Sequence, residues 1–319
     1  MTIKKLIVWL LLMTMLVAAG CSSNSVKTVD KNLQDINPNA VAANKDTANV
    51  ALYFSYRGEN LLAGETVTID VPVNDSLEAA VVRALIAGPT VNRAELSGLF
   101  WDGVKLVGVD SNADIVFITL SEEFVSSDPE KVVLEEGTVA EQKQLAISSI
   151  VNTIVEMGTY SRVQIYVDRQ AAGAAQRITR KEAGWENSDA HLDPLFRMGD
   201  LILTPENTLA EALGSFAKKD WTRLYNFTAY TSLDGSLKPD MDTFSEALAD
   251  KGNVLSSYSV TDYNVSSDGQ KAVVMLDYSI KTREGDLISR ENIPVVLVRE
   301  EDIWKFSYTS LVDVLINAG

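Results

Sequence analysis

One cysteine, Cys21, and one histidine, His191, set narrow limits on the chemistry available to these 319 residues. They exclude disulfides, Cys/His zinc sites and nucleophilic pairs that need Cys with His. A serine triad would have to rest on His191 alone, with Ser121 as its nucleophile, and no nucleophile-elbow pattern surrounds that serine. Asp110, Asn112 and Asp114 place oxygens at alternate positions, as the first half of a calcium loop does. Ile115 then stands where Gly must allow the sharp turn, and Ser121 where a bidentate Glu must close the shell, so the segment reads as a hairpin turn. Glu122-Glu123, Glu135-Glu136 and Glu300-Glu301 are paired acids. Neighbours on a strand point to opposite faces, so none is a natural carboxylate couple for glycoside chemistry, and each reads as a solvated face. Trp221, Tyr225, Tyr258 and Tyr278 combine large apolar area with a polar handle. They either line a pocket for a lipid, peptide or cell-wall fragment or fill the core between helices and sheet, and the second reading is favoured. The expectation is therefore no enzyme, no cofactor and no metal site.

Charge and composition narrow the partners. Asp and Glu number 44 against 28 Lys and Arg, a formal charge of -16, and a surface of that sign repels phosphate backbones, so nucleic acid is not an expected partner. With 46% hydrophobic residues the chain can bury substantial cores.

The elements that must position these side chains follow from periodicity. Residues 50–54 form a β-rich run, and Val67, Ile69 and Val71 alternate with polar residues as a half-buried strand does. Leu77, Ala80, Val81, Ala84 and Leu85 then fall at helical spacing, with Asp75 and Glu78 read as a capping box and Gly88-Pro89 as the stop. Residues 104–109 and 115–120 read as a hairpin, 141–157 as a second amphipathic helix, and Val163, Ile165 and Val167 as a last strand. Two helices should cover one small mixed sheet, with 171–200 wrapping it irregularly. A second unit starts at Thr204-Pro205, a cap followed by Pro at the first helical position. Three helices, around Leu209 to Phe216, Trp221 to Tyr225 and Phe244 to Leu248, precede strands over 254–265, 272–281, 287–299 and 303–308, with nothing but strands after the helices. The fold class is α+β: a mixed sheet with two helices over 49–200, then helices and a curling antiparallel sheet over 204–319.

The N-terminus reads as an address. Lys4 and Lys5 supply a positive start, and an apolar run of about 14 residues follows, short for the roughly 20 that span a bilayer as a helix. It ends in Ala18-Ala19-Gly20-Cys21, which resembles a bacterial lipobox, with Ala18 where that pattern prefers Leu. The resemblance implies cleavage of a signal peptide over 1–20 and a diacylglyceryl thioether on Cys21. Two acyl chains anchor stably where one is marginal, so the protein is expected on the extracytoplasmic or periplasmic side of a bacterial membrane. Residues 21–48, rich in Ser, Asn, Asp and Lys, read as a solvated tether.

Residues 50–198 carry, in order, the blocks Leu52-Tyr53-Phe54, Ala84-Leu85-Ile86-Ala87-Gly88-Pro89, Thr119-Leu120-Ser121-Glu122-Glu123-Phe124, Ile150-Val151-Asn152-Thr153-Ile154, Val163-Gln164-Ile165-Tyr166-Val167-Asp168 and Asp193-Pro194-Leu195. In kind and order these blocks resemble the GerM domain family of bacterial envelope lipoproteins. Arg169 departs from the pattern, standing where Gly commonly follows. The resemblance implies assembly and contact in sporulation or germination, with envelope proteins, including ring-forming or self-assembling ones, as partners, and no catalytic residues to carry over. In element order the part from Thr204 onward is similar to the cone-shaped folds related to nuclear transport factor.

Overall fold

The computed structural model describes residues 47–169 and 174–317. Cys21, the leader and all of the tether before Thr47 lie outside the described residues.

Strand β1 (Thr47–Tyr56) pairs antiparallel with β2 (Leu62–Asp70) from Thr47↔Asp70 to Ser55↔Leu62, and two-residue β3 (Leu96–Ser97) adds to its other edge. From Val50 to Tyr56 every residue of β1 is buried, which abolishes the usual alternation. The cause is covering: helices α1 (Leu77–Ala87) and α3 (Val139–Glu156) both pack on this strand. Ser149 and Thr153 of α3 hydrogen-bond the main chain of Tyr53.

A second sheet, in the order β4-β5-β6-β7, comprises β4 (Leu106–Asn112), β5 (Ile115–Ser121), β6 (Arg162–Arg169) and β7 (Ala174–Arg177). The N-terminal strands thus divide between two sheets. The sheet is mixed because β5 and β6 run parallel, and a parallel pair needs a crossover, which the short helix α2 (Glu123–Ser126) and α3 provide. Val116, Ile118 and Leu120 alternate inward on β5; Val163, Ile165 and Val167 do so on β6. Residues 178–198 wrap this sheet, tied by Val163↔Leu195 and Thr179↔His191 bridges, and β7 is a short strand inside the stretch read as irregular.

Two helix starts differ from the sequence reading. The cap of α1 is Ser76, whose hydroxyl accepts from Ala79 N, while Asp75 instead pairs with Arg83 one helical face away. Helix α3 begins at Val139, two residues early, because Thr138 and Glu141 form a reciprocal capping box.

The C-terminal half starts as expected. Thr204 caps α4 (Pro205–Lys218), Pro205 opens it, and Leu209, Ala212, Leu213 and Phe216 are its buried stripe. Helices α5 (Trp221–Asn226) and α6 (Met241–Lys251) follow. Strands β8 (Val254–Val265), β9 (Lys271–Lys281), β10 (Leu287–Glu300) and β11 (Ile303–Phe306) then form an antiparallel meander whose inner face, Val274, Leu276, Ile280, Val295 and Leu297, packs under the helices. The chain does not end in strand. A last helix α7 (Tyr308–Leu311) runs into a π turn (Val312–Ile316), since Leu311, Val314 and Leu315 repeat at helical spacing and bury together. The described residues belong to one compact unit.

Candidate interaction site at the seam between the halves

The C-terminal half meets the first sheet along a seam rich in charge. Lys305 is the second-last residue of β11, and its side chain is 4% exposed. Its ammonium donates to Glu95 Oε1 at 2.9 Å, to Tyr56 Oη at 2.7 Å and to the Asn226 carbonyl at 2.7 Å, which uses all three protons. Tyr56 in turn donates to the same Asn226 carbonyl at 2.9 Å, and Arg57 holds Glu95 Oε1 through Nε and Nη2. Burial pushes the Tyr56 phenol far up, so it stays a donor at all ordinary pH. Burial works against the charge on Glu95, but Lys305 and Arg57 outweigh it and hold its pKa below the ordinary carboxylate value. Burial also pulls the Lys305 pKa down, with Glu95 pulling the other way.

Asn226 ends α5, so its carbonyl has no partner within the helix. Lys238 serves the neighbouring carbonyls of Tyr225 (3.0 Å) and Thr228 (2.9 Å) with its ammonium 3.9 Å from the centre of the Tyr225 ring. Cations at a helix C-terminus suit the dipole as well as the orphaned oxygens. Burial, then the nearby Lys305, lowers the Lys238 pKa to about 8.

Two more charged contacts cross the seam. Arg223 on α5 binds Glu59 (2.6 Å) and its own neighbour Glu211 (2.6 Å) while lying over the Phe227 ring. Asp302 accepts from Thr66 N and from Arg93 Nη2, both at 2.9 Å, and Arg93 also meets Glu65 and the Glu301 carbonyl. Asp302 is aimed by the two-residue β10–β11 turn, in which Glu301 (φ 48°) and Asp302 (φ 68°) are both left-handed. That tight turn favours Asn-Gly; keeping two side chains there stores strain of order 1–3 kcal/mol per residue. Apolar packing crosses the seam as well: the Tyr56 and Phe227 rings are 5.4 Å apart and buried apolar residues of both halves belong to one core, while Leu203 N donates to the Leu62 carbonyl at 2.8 Å.

A cleft of about 720 Å³ opens on this seam. One wall is the 57–60 turn, the 133–137 loop and Glu141; the other is Asp220, Thr222, Arg223 and Asn226. The loop is pinned by Glu135 N donating to the Gly58 carbonyl at 2.7 Å. Gly58 has φ 73°, and a Cβ there would lie 2.7 Å from the Val133 carbonyl, so glycine alone fits.

The residues singled out from sequence lie elsewhere or serve structure. Asp110 and Asn112 are strand residues of β4, paired opposite Phe117 and Ile115. Asp114 is taken by Arg162 at 2.9 Å and by Ser161, and the Arg162 hydrogen bond is the main cause of a pKa of about 2. No group of three or more His, Cys, Asp or Glu side chains suited to a metal ion occurs among the described residues. Ser121 Oγ accepts from Lys105 N at the end of β5, whereas His191 is exposed on the 178–198 wrap, and no hydrogen bond between them is found among the described residues. Of the paired acids, Glu300 accepts the Tyr230 and Thr231 amides, Glu123 opens α2, and Glu135 and Glu136 line the cleft.

The four aromatics are only partly gathered. Tyr258 and Tyr278 are opposite each other on β8 and β9; Trp221 packs on Phe216, and Tyr225 packs edge-on against Phe244 while donating to the Pro239 carbonyl. None of the four lines the seam cleft. Sequence reasoning missed Lys305, Arg223, Arg93 and their carboxylates. The one readable signal was a lysine inside the apolar run Ile303-Trp304-Lys305-Phe306, since a lysine in a buried strand needs a partner.

The molecule is thus an α+β protein in which two sheet-and-helix halves meet across a charged seam. The family model Germane, described as sporulation and spore germination, matches residues 51–172, under half of the chain. That segment runs from β1 through β6 and contains Tyr56, Arg57, Glu59, Glu65, Arg93 and Glu95; Arg223, Asp302 and Lys305 lie beyond it. Among solved structures, the tandem GerMN domains of the sporulation protein GerM from Bacillus subtilis share 18% identity, covering 51% of this chain and 50% of that one, at a TM-score of 0.34. The chain therefore spans about half the length of that structure. A candidate lipoprotein from Clostridium perfringens shares 21% identity, covering 48% of this chain and 90% of that one, at a TM-score of 0.27. No curated protein matches the chain. No helix among the described residues is long and apolar enough to cross a membrane.

Proposed function

We propose that this is a lipid-anchored protein of the bacterial envelope that acts in sporulation or germination by contact, without turnover, and that its Germane-type segment is the contact module. The observation that carries this reading is the family match over residues 51–172. Local hydrogen bonds and the Arg162 pair support reading Ser121 and Asp114 as structural side chains. Cys21 would hold the lipid and residues 21–48 the reach needed for contact away from the headgroups.

The test is capture of envelope proteins by the anchored full chain. Deleting residues 50–198 should abolish capture, whereas Glu122→Gln, Glu123→Gln and His191→Ala should leave it nearly unchanged. Cys21→Ser should leave an unprocessed precursor that takes up no labelled fatty acid. Cell-wall hydrolysis by the purified protein, lost on changing one acidic residue without unfolding, would overturn the reading.

A further inference from the structure

We propose that the seam is a charge latch around a pivot: the C-terminal half holds the 57–60 turn and the 88–97 segment in place through Lys305, Arg223 and Asp302, and can release them without either half unfolding. This goes beyond the contact reading and stands on different observations. The pivot is where the chain passes from one half to the other. There Leu203 N bonds to the Leu62 carbonyl, Ile202 bridges to Leu62, and all three side chains are buried.

Most of the packing that orders each half is internal to it, although the buried apolar residues of the two halves join in one continuous core. Helix α3 packs on β1 and β6, and α4 packs on β8, β9 and β11; across the seam the main neighbours are β2 and β11. Beside that shared core, the seam carries polar and reciprocal contacts. Lys305 and Arg223 reach from the C-terminal half to Glu95, Tyr56 and Glu59, while Arg93 reaches back to Asp302 and the Glu301 carbonyl. Contacts of this kind can be removed by charge changes that leave apolar cores intact. Release would be felt first at the cleft, whose two walls come from opposite sides of the seam.

Acid acts on the same contacts. Glu95 is faced by Arg57, Lys305 and Tyr56; Lys305 is faced by Glu95, Tyr56 and Arg57, with Glu300 and Lys238 nearby. Protonating Glu95 leaves Arg57 and Lys305 as adjacent cations with no charged carboxylate between them.

Hydrogen exchange of the full-length chain, followed by mass spectrometry at pH 7, tests the proposal on wild type, Lys305→Met and Arg223→Gln. Both variants should exchange about tenfold faster in the turn around 56–60, and Lys305→Met also in 88–97, through an opening that leaves α3 and β9 far more protected than those segments. Unchanged exchange in those segments would overturn the proposal. So would exchange of α3 and β9 at the same rate as those segments, because the halves would then open only by unfolding together. Arg223→Gln changes a half-buried helix position, so it decides alone if Lys305→Met does not fold: faster exchange at 56–60 with α3 and β9 still far more protected supports the latch, and no change, or protection that falls to one common level, overturns it.

Discussion

Lys305–Glu95 and Arg162–Asp114 are both cation–carboxylate pairs at 2.9 Å, yet they sit in regions that give them different weight. At the end of the β4–β5 hairpin, Arg162 and Asp114 are 32% and 51% exposed, so water and salt screen them. At the seam, Lys305 is 4% exposed and has traded its water for three protein acceptors. Losing one of those partners strands another polar group away from water, which is where the cost of breaking a buried pair comes from. Distance alone therefore says little about an ion pair; the surroundings decide.

The sharpest way to break the comparison is Lys305→Met. It should destabilise the protein by about 3 kcal/mol in urea unfolding, at the low end for a broken buried pair because Arg57 still holds Glu95. Gly58→Ala follows, at about 2 kcal/mol, since it forces both a left-handed alanine and a clash with the Val133 carbonyl that the pinned loop cannot relieve. A loss below 0.5 kcal/mol in either variant would contradict the account of the seam and its cleft.

Asp302→Gly sharpens the point because its two effects oppose. It should relieve backbone strain in the β10–β11 turn while dropping the bonds to Thr66 N and Arg93, leaving a net loss of about 1 kcal/mol. A net gain would mean that the turn, and not the seam contact, governs this position.

Titration separates Lys238 from Glu95. The folded-state pKa of Glu95 is depressed, so its contribution is present above the unfolded value near 4.5 and lost as pH falls through the lower folded value; Glu95→Gln should flatten stability against pH in that acid window. Lys238 has its folded pKa lowered to about 8 against an ordinary 10.5. The unfolded chain binds the extra proton between these values, so stability should rise from pH 8 to 10.5, and Lys238→Met should remove that rise. The smallest effect belongs to Asp114→Asn at the hairpin, whose unfolding midpoint should match wild type in 0.5 M salt.

Much of the scaffold was legible. The stripe of Leu209, Ala212, Leu213 and Phe216 and the Thr204-Pro205 start announce α4, because a cap and a 3.6-residue period are local properties. The four-strand meander was equally open, its turns marked by Asp-Gly and Glu-rich connections. Where reading failed, a partner the pattern does not show had intervened: Asp75 was drawn off to Arg83, leaving the cap to Ser76, and two covering helices buried every residue of β1 from Val50 and erased its alternation. The seam was almost invisible, since Tyr56, Glu95, Asn226 and Lys305 are far apart along the chain and none belongs to a motif.

Sequence by itself determined the charge balance, the single Cys21 and His191, the order of most elements and the likeness of residues 50–198 to the GerM domain family. Those depend on residue counts, on short-range periodicity and on blocks in fixed order. Only the tertiary structure decided which Lys and Arg among the described residues are surface charges and which, like Lys305, are buried partners. Coulomb energy and desolvation depend on what lies within a few ångströms in space, and neighbours in space at the seam are separated by as many as 249 positions in the chain.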